Sequence, residues 1–277
     1  VSSSDELIKN DAWRLVDITV PLHETELVAD FLWGLGVVAI EEINKGIIVI
    51  LRTSMGENPH AAVASIRETF PYVSVTTVDV DRSVADTWRE FAEPTHVVDD
   101  VFLVPAWLEA PAGSRSLFIE PLDTFGLGNH PTTVLALRLA IQNVAHNSTV
   151  FDFGSGSGVL AVGVASLLSC TAFAYDIADS AQNAIRMNAN RNKVNTCQWI
   201  KGFPDVQVDA VLANILSPVL IAEAKNICSA VGAGGVIVLS GMRDDQVEKV
   251  LQHYSTCKEI QRDELDGWVA IALQKTN

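Results

Sequence analysis

The sequence predicts an α/β chain: a doubly wound, mostly parallel sheet preceded by a smaller α+β domain. Three observations carry this. Residues 149–158 run from an apolar strand through an acidic residue into glycines at every second position, then into an apolar segment of helical length. A strand, a glycine turn and a helix start in that order open a parallel βαβ unit. After residue 98, strand-like and helix-like stretches alternate, as in a parallel sheet covered on both faces. Before residue 80 the order is strand, helix, strand, strand, helix, strand, the ferredoxin-like arrangement.

The elements of the first part follow from periodicity. Residues 14–20 alternate, with Val16, Ile18 and Val20 on one face. Residues 24–35 carry Leu27, Val28, Phe31, Leu32 and Leu35, a helical stripe that Gly34 and Gly36 close. Residues 37–43 and 46–51 read as strands joined by a turn at Asn44-Lys45. A helix over 61–70 places Val63, Ile66 and Phe70 together, and residues 72–80 alternate again. This gives a recognition domain at 1–80, a linker at 81–97 with a short helix around Trp88 and Phe91, and a second domain at 98–277.

In the second domain the expected strands are 101–104, 116–119, 149–153, 171–176, 197–200, 210–213, 235–240 and 268–274. The expected helices are 132–145, 159–169, 178–192, 217–230 and 244–254. The stretch 258–267 is polar and reads as a connection before the last strand. No charged residue occurs from Phe153 to Tyr175, a run long enough to raise a membrane span. The glycines at its start, and Ser166, Ser169 and Thr171 within it, point instead to a buried helix followed by a buried parallel strand.

Composition narrows the partners. The hydrophobic fraction of 48% suffices for one large core or two smaller ones. A net charge of −15 repels phosphate backbones, so direct nucleic-acid binding is not expected, whereas a basic protein would be attracted. The four cysteines form no C-x-x-C pair, and the six histidines show no metal spacing. No metal site and no disulfide framework are expected, and a reducing cytoplasm fits. The start of the chain lacks the pattern of a signal peptide.

The glycine loop implies a nucleotide-like cofactor, because glycine lets the backbone turn sharply and lie against a ligand. Gly156-Ser-Gly158-Val-Leu-Ala161 satisfies a loose dinucleotide pattern. Asp152-Phe-Gly154-Ser-Gly156-Ser-Gly158 fits better the acidic residue and G-x-G-x-G of doubly wound S-adenosylmethionine-dependent methyltransferases. Asp176, ending the next strand, stands where a carboxylate accepts from ribose hydroxyls in either class. The C-terminal Gly-Gly-Val-Ile-Val-Leu-Ser strand, helix and final apolar strand resemble the methyltransferase sheet with its antiparallel last hairpin.

The strand over 210–213 ends in Asn214-Ile-Leu-Ser217, and strand C-termini face the ligand crevice. Amine methyltransferases commonly place Asn-Pro-Pro-Tyr here. The asparagine oxygen and the next carbonyl accept from the amine. The aromatic that would stack on a nucleobase is missing from this chain.

On Thr124-Phe125-Gly126-Leu127-Gly128-Asn129-His130-Pro131-Thr132-Thr133, the glycine loop and Asn214-Ile-Leu-Ser217, the chain resembles the PrmA family, methyltransferases of the eleventh large-subunit ribosomal protein. Pro105-Ala-Trp107 and Leu239-Ser-Gly241 are further family landmarks. The resemblance covers the whole chain. It implies a ferredoxin-like recognition domain, a linker and an S-adenosylmethionine-dependent methyltransferase domain. It further implies methylation of lysine side chains and an N-terminal amine of a large-subunit ribosomal protein; a cytoplasmic monomer is expected. Thr133, Gly154, Asp176 and Asn214 match positions that contact S-adenosylmethionine, and Phe125 and His130 lie in a loop that closes over it. Ser155, Gly156 and Ile177 complete the expected cofactor set, with Asn214 also the catalytic residue that orients the amine. His130 is expected to position the loop. Leu127 and Asn129 replace two family threonines, and Ser217 an alanine. Rival readings are a lysine methyltransferase of the same fold with a non-ribosomal target and a small-molecule methyltransferase.

Overall fold

The computed structural model describes residues 13–35, 37, 40–55, 59–80, 92–120 and 128–276. The chain divides into two compact units, Val1–Ala92 and Glu93–Asn277. The expected helix around Trp88 and Phe91 lies outside the described residues.

The first unit contains β1 (Trp13–Pro21), a single 3-10 turn, α1 (Thr25–Gly34), β2 (Glu41–Asn44), β3 (Ile48–Met55), α2 (Pro59–Thr69) and β4 (Ser74–Val80). All pairings are antiparallel, in the order β2-β3-β1-β4. This is the ferredoxin-like topology that the element order predicts. Val16, Ile18 and Val20 alternate into a core with Val28, Leu32, Leu51, Ile66 and Phe70. Asp17 and Arg52, opposite each other across β1 and β3, pair through two hydrogen bonds of 2.8 Å. At the hairpin, the Asn44 side chain accepts from the Gly46 N–H at 2.8 Å.

The second unit opens with β5 (Thr95–Val98), β6 (Val101–Pro105) and β7 (Arg115–Ile119), followed by α3 (Pro131–Asn143), β8 (Thr149–Phe153), α4 (Val159–Leu168), β9 (Thr171–Tyr175), α5 (Asp179–Arg191) and β10 (Cys197–Trp199). Then come β11 (Val208–Asn214), α6 (Ser217–Ala230), β12 (Val231–Arg243), α7 (Asp244–Leu251), β13 (Cys257–Leu265) and β14 (Trp268–Lys275). The main sheet has seven strands in the order β10-β9-β8-β11-β12-β14-β13. The five strands from β10 to β12 are parallel, and β14 runs antiparallel to both its neighbours. Along β8, Val150 faces a core shared with α3, α4 and α5, whereas Phe151 and Phe153 face the core of α6 and α7. Two buried faces explain why these strands read as nearly unbroken apolar runs. The strand order reverses between β8 and β11, which leaves a crevice at their C-terminal ends.

Three expectations need correction. The stretches at 101–104 and 116–119 do not join the main sheet. They are β6 and β7, parallel neighbours in a separate three-stranded sheet with β5. The first three residues of β5 fall inside the segment expected as linker. The polar connection at 258–267 is mostly strand β13, paired antiparallel with β14. Its side chains alternate between half-buried and exposed, with none fully buried. Polar contacts seat it on α3: Arg138 bonds Asp263 at 2.7 Å, and Asn143 donates to Gln261 at 2.9 Å.

Candidate active site

The glycine loop turns from β8 to α4 at the crevice. Gly154, Gly156 and Gly158 all have left-handed backbones, with φ of 79°, 52° and 81°. A Cβ at Gly154 would collide with the Ile215 side chain. One at Gly158 would come within 2.9 Å of Ile185 Cγ1 and 3.2 Å of its Cα. Glycine is therefore required here both by conformation and by space.

The loop is stitched to the end of β9. The N–H groups of Gly154 and Ser155 donate to the Tyr175 carbonyl at 2.8 and 2.9 Å, and the Gly156 N–H donates to Asp176 Oδ2 at 2.8 Å. Asp176 Oδ1 accepts from the Ala178 N–H at 2.9 Å. Each carboxylate oxygen keeps acceptor capacity beyond these bonds, and Asp176 is half-buried. Beside it stands Ile177, 91% exposed, a large apolar surface at the mouth of the crevice.

Asp152 lies beneath the loop, fully buried. Its Oδ2 accepts from the Ala161 N–H at 3.0 Å, and the Ser155 hydroxyl donates to its carbonyl at 2.9 Å. Oδ1 has no partner. Burial pushes the Asp152 carboxyl up to about 7.

Across the switch point, Asn214 ends β11. Its Nδ2 donates to Thr133 Oγ1 at 3.1 Å, and Thr133 is fully buried in the first turn of α3. No described residue donates to Asn214 Oδ1, so the oxygen is the half of the amide left open. The Ile215 N–H donates to the Ser240 carbonyl at 3.3 Å, and the Ser240 hydroxyl donates to the Thr132 carbonyl at 2.9 Å. Gly241, with φ of 90°, faces the Ile215 backbone. A Cβ there would collide with the Ile215 carbonyl oxygen.

His130 is the N-cap of α3. Its Nδ1 accepts from the Thr132 N–H at 3.4 Å and lies 2.8 Å from the Thr132 hydroxyl. The ring meets Trp268 edge to face at 5.1 Å, and Arg243 sits 3.8 Å over the same indole. Burial, assisted by the Arg243 charge, pushes the imidazole down to about 4. Phe125 lies outside the described residues.

The structure thus brings Gly154, Ser155, Gly156, Asp176 and Ile177 together on one side, and Thr133, Asn214 and His130 around the start of α3. Two features were missed in the sequence. Phe153 stacks on Tyr175 at 5.9 Å and on Phe203 at 4.9 Å, an aromatic cluster at the ends of β8 and β9. Asn188, fully buried on α5, donates to the Ser157 carbonyl at 2.9 Å and to the Glu120 carbonyl at 2.8 Å. It also accepts from the Glu120 N–H at 2.9 Å, so it ties the glycine loop to the end of β7. Its signal was a polar residue on the otherwise apolar face set by Ala181 and Ile185.

Comparison with known proteins decides the family. The description "Ribosomal protein L11 methyltransferase (PrmA)" matches residues 13–276. The chain belongs to the PrmA family. A ribosomal protein L11 methyltransferase from Dechloromonas aromatica is 36% identical over 205 residues, covering 73% of this chain and 69% of that protein. One from Chromobacterium violaceum is 31% identical over 266 residues, 94% of this chain and 86% of its own length. Among solved structures, a ribosomal protein L11 methylase from Lactobacillus delbrueckii subsp. bulgaricus superposes with a TM-score of 0.62 at 25% identity. It covers 67% of this chain and all of that one. Of the three departures from the PrmA loop motifs, Leu127 lies outside the described residues, Asn129 is exposed, and Ser217 is buried as the first residue of α6.

Proposed function

We propose that this chain is an S-adenosylmethionine-dependent methyltransferase that methylates lysine side chains and an N-terminal amine of ribosomal protein L11. The observation that carries the reading is the Asn214 amide at the switch point, its nitrogen committed to Thr133 and its oxygen open, in a chain of the PrmA family. The site suits the cofactor. The left-handed glycines form a cradle that a Cβ would fill, Asp176 retains acceptor capacity for a ribose diol, and Asp152 Oδ1 is a buried acceptor awaiting a donor.

Gly154, Ser155, Gly156, Asp176, Ile177, Thr133 and Asn214 would hold the cofactor, with Phe125 and His130 in the covering loop. When bound, it supplies a methyl group on a sulfonium, so the leaving group needs no further activation. The protein's task is alignment and removal of water. Asn214 Oδ1 and the Ile215 carbonyl accept from the substrate nitrogen and aim its lone pair. Gly241 leaves the Ile215 backbone unobstructed. The lysine must lose a proton first, which partial burial promotes by disfavouring the ammonium. His130 positions the start of α3, since its Nδ1 is engaged by Thr132.

The first unit recognises the protein substrate, and the segment between β4 and β5 connects it to the methyltransferase unit. The reading places the protein in the cytoplasm as a monomer that makes no direct nucleic-acid contact, and the charge of −15 supports the last point. None of the described helices is long and apolar enough to cross a membrane. Incubation with methyl-labelled S-adenosylmethionine and purified L11, or whole ribosomes, tests the reading. Label confined to L11 supports it; label on another protein, or none, rejects it.

A further inference from the structure

Cys228 lies in the last turn of α6 and Cys257 opens β13, with their sulfurs 3.9 Å apart. Both are half-buried, whereas Cys170 is fully buried. Lys275 pairs with Cys257 across β13 and β14. Its ammonium donates to the carbonyls of Cys228 at 2.8 Å and Val231 at 2.7 Å, which caps α6 and sets a cation beside both thiols. The Thr256 hydroxyl lies 3.8 Å from Cys257 Sγ. The contact with Cys228 holds the Cys257 thiol below the usual range, with Thr256 and Lys275 acting in the same direction. A disulfide needs an S–S distance of about 2.05 Å, so closure takes a shift of roughly 2 Å at the end of a helix and the start of an edge strand.

We propose that Cys228 and Cys257 are a modification site, a dithiol that hydrogen peroxide converts into an intramolecular disulfide joining α6 to β13. The Cys257 thiolate attacks one peroxide oxygen, the O–O bond breaks, and protonation releases one water and leaves a sulfenic acid. Cys228 sulfur then attacks the Cys257 sulfur, the S–O bond breaks, and a second water leaves. Two thiols are oxidised and one peroxide is reduced.

The test is peroxide treatment of the full chain followed by intact-mass measurement and peptide mapping without reductant. The expected result is loss of two hydrogens, one Cys228–Cys257 linked peptide, and full reversal by dithiothreitol. With Cys228→Ser, dimedone should instead trap a sulfenic acid at Cys257. An unchanged mass, a bond between other cysteines or between two chains, or sulfinic acid at Cys257 without a linked peptide would overturn the proposal. The wild-type map decides the matter even if the variant fails to fold.

Discussion

The Asn214 side chain shows how much depends on one amide. Thr133 occupies its nitrogen, so truncation removes the open oxygen without stripping the cofactor cradle. Asn214→Ala should lower methyl transfer at least tenfold while S-adenosylmethionine binding stays measurable by calorimetry. Unchanged turnover would remove Asn214 from the mechanism. Asp176→Ala takes away the acceptor that faces Gly156 and Ala178. Cofactor affinity should drop by roughly 10–100-fold, the worth of hydrogen bonds to a charged group; intact affinity would refute the ribose assignment. Two buried titrating groups oppose each other. His130 is held near 4, below its unfolded value, so its contribution is present above about pH 6.5 and is lost as pH falls toward 4. Asp152, raised to about 7, contributes below about pH 4 and loses that contribution as pH rises through 7. His130→Asn keeps a capping side chain but not the titration. The stability of wild type over this variant, from urea denaturation, should therefore grow by about 2–3 kcal/mol between pH 4.5 and 6.5. A constant difference would mean that His130 is not buried as a neutral ring.

At the scale of elements, Asn188 in the last turns of α5 and Asn192 at its C-cap dock on the edge of β7. Asn188 bonds the Glu120 backbone, while Asn192 accepts from the Phe118 N–H at 2.8 Å and donates to its carbonyl at 2.7 Å. The helix thus supplies polar groups where a further strand would have paired. Asn188→Asp would set a carboxylate against two carbonyls, and should cost about 2–4 kcal/mol of stability; a loss under ~1 kcal/mol would show that the clamp relaxes. A polar residue on an apolar helix face marks Asn188 in the sequence, but its partner many residues earlier was illegible, because nothing in the pattern names the strand end it binds. The elements that were legible are those with one clear period or a fixed turn chemistry. β1 alternates, β8 and α4 flank alternating glycines, and α6 has the bounds expected for 217–230. β13 stayed hidden because backbone pairing to β14 and polar contacts with α3 hold it, with no apolar face to show a period. The strand character of β6 and β7 was visible, but strand propensity does not say which sheet a strand joins. Asp152, the glycines, Asp176 and Asn214 could be placed at the crevice because strand ends in a doubly wound sheet face it. The Thr133 bond and the room that Gly241 leaves beside Ile215 required the packed structure.

For the whole molecule, a family match from residue 13 to residue 276 embraces both the ferredoxin-like unit and the doubly wound one. The charge of −15 is spread over a chain with few cations, so capture of a basic protein substrate should be electrostatically assisted. The KM for L11 should then rise with added salt more steeply than the KM for the cofactor; parallel changes would exclude steering of the protein. Among the described residues, no further strand pairs with either rim of the seven-stranded sheet. At one rim β10 is three residues long, too short to template much. At the other, β13 runs for nine residues, but Lys258, Glu259, Arg262, Asp263 and Glu264 line it. A second copy approaching edge to edge would have to bury those charges. The polarity that disguised β13 as a connection is what keeps this sheet from growing into its neighbours.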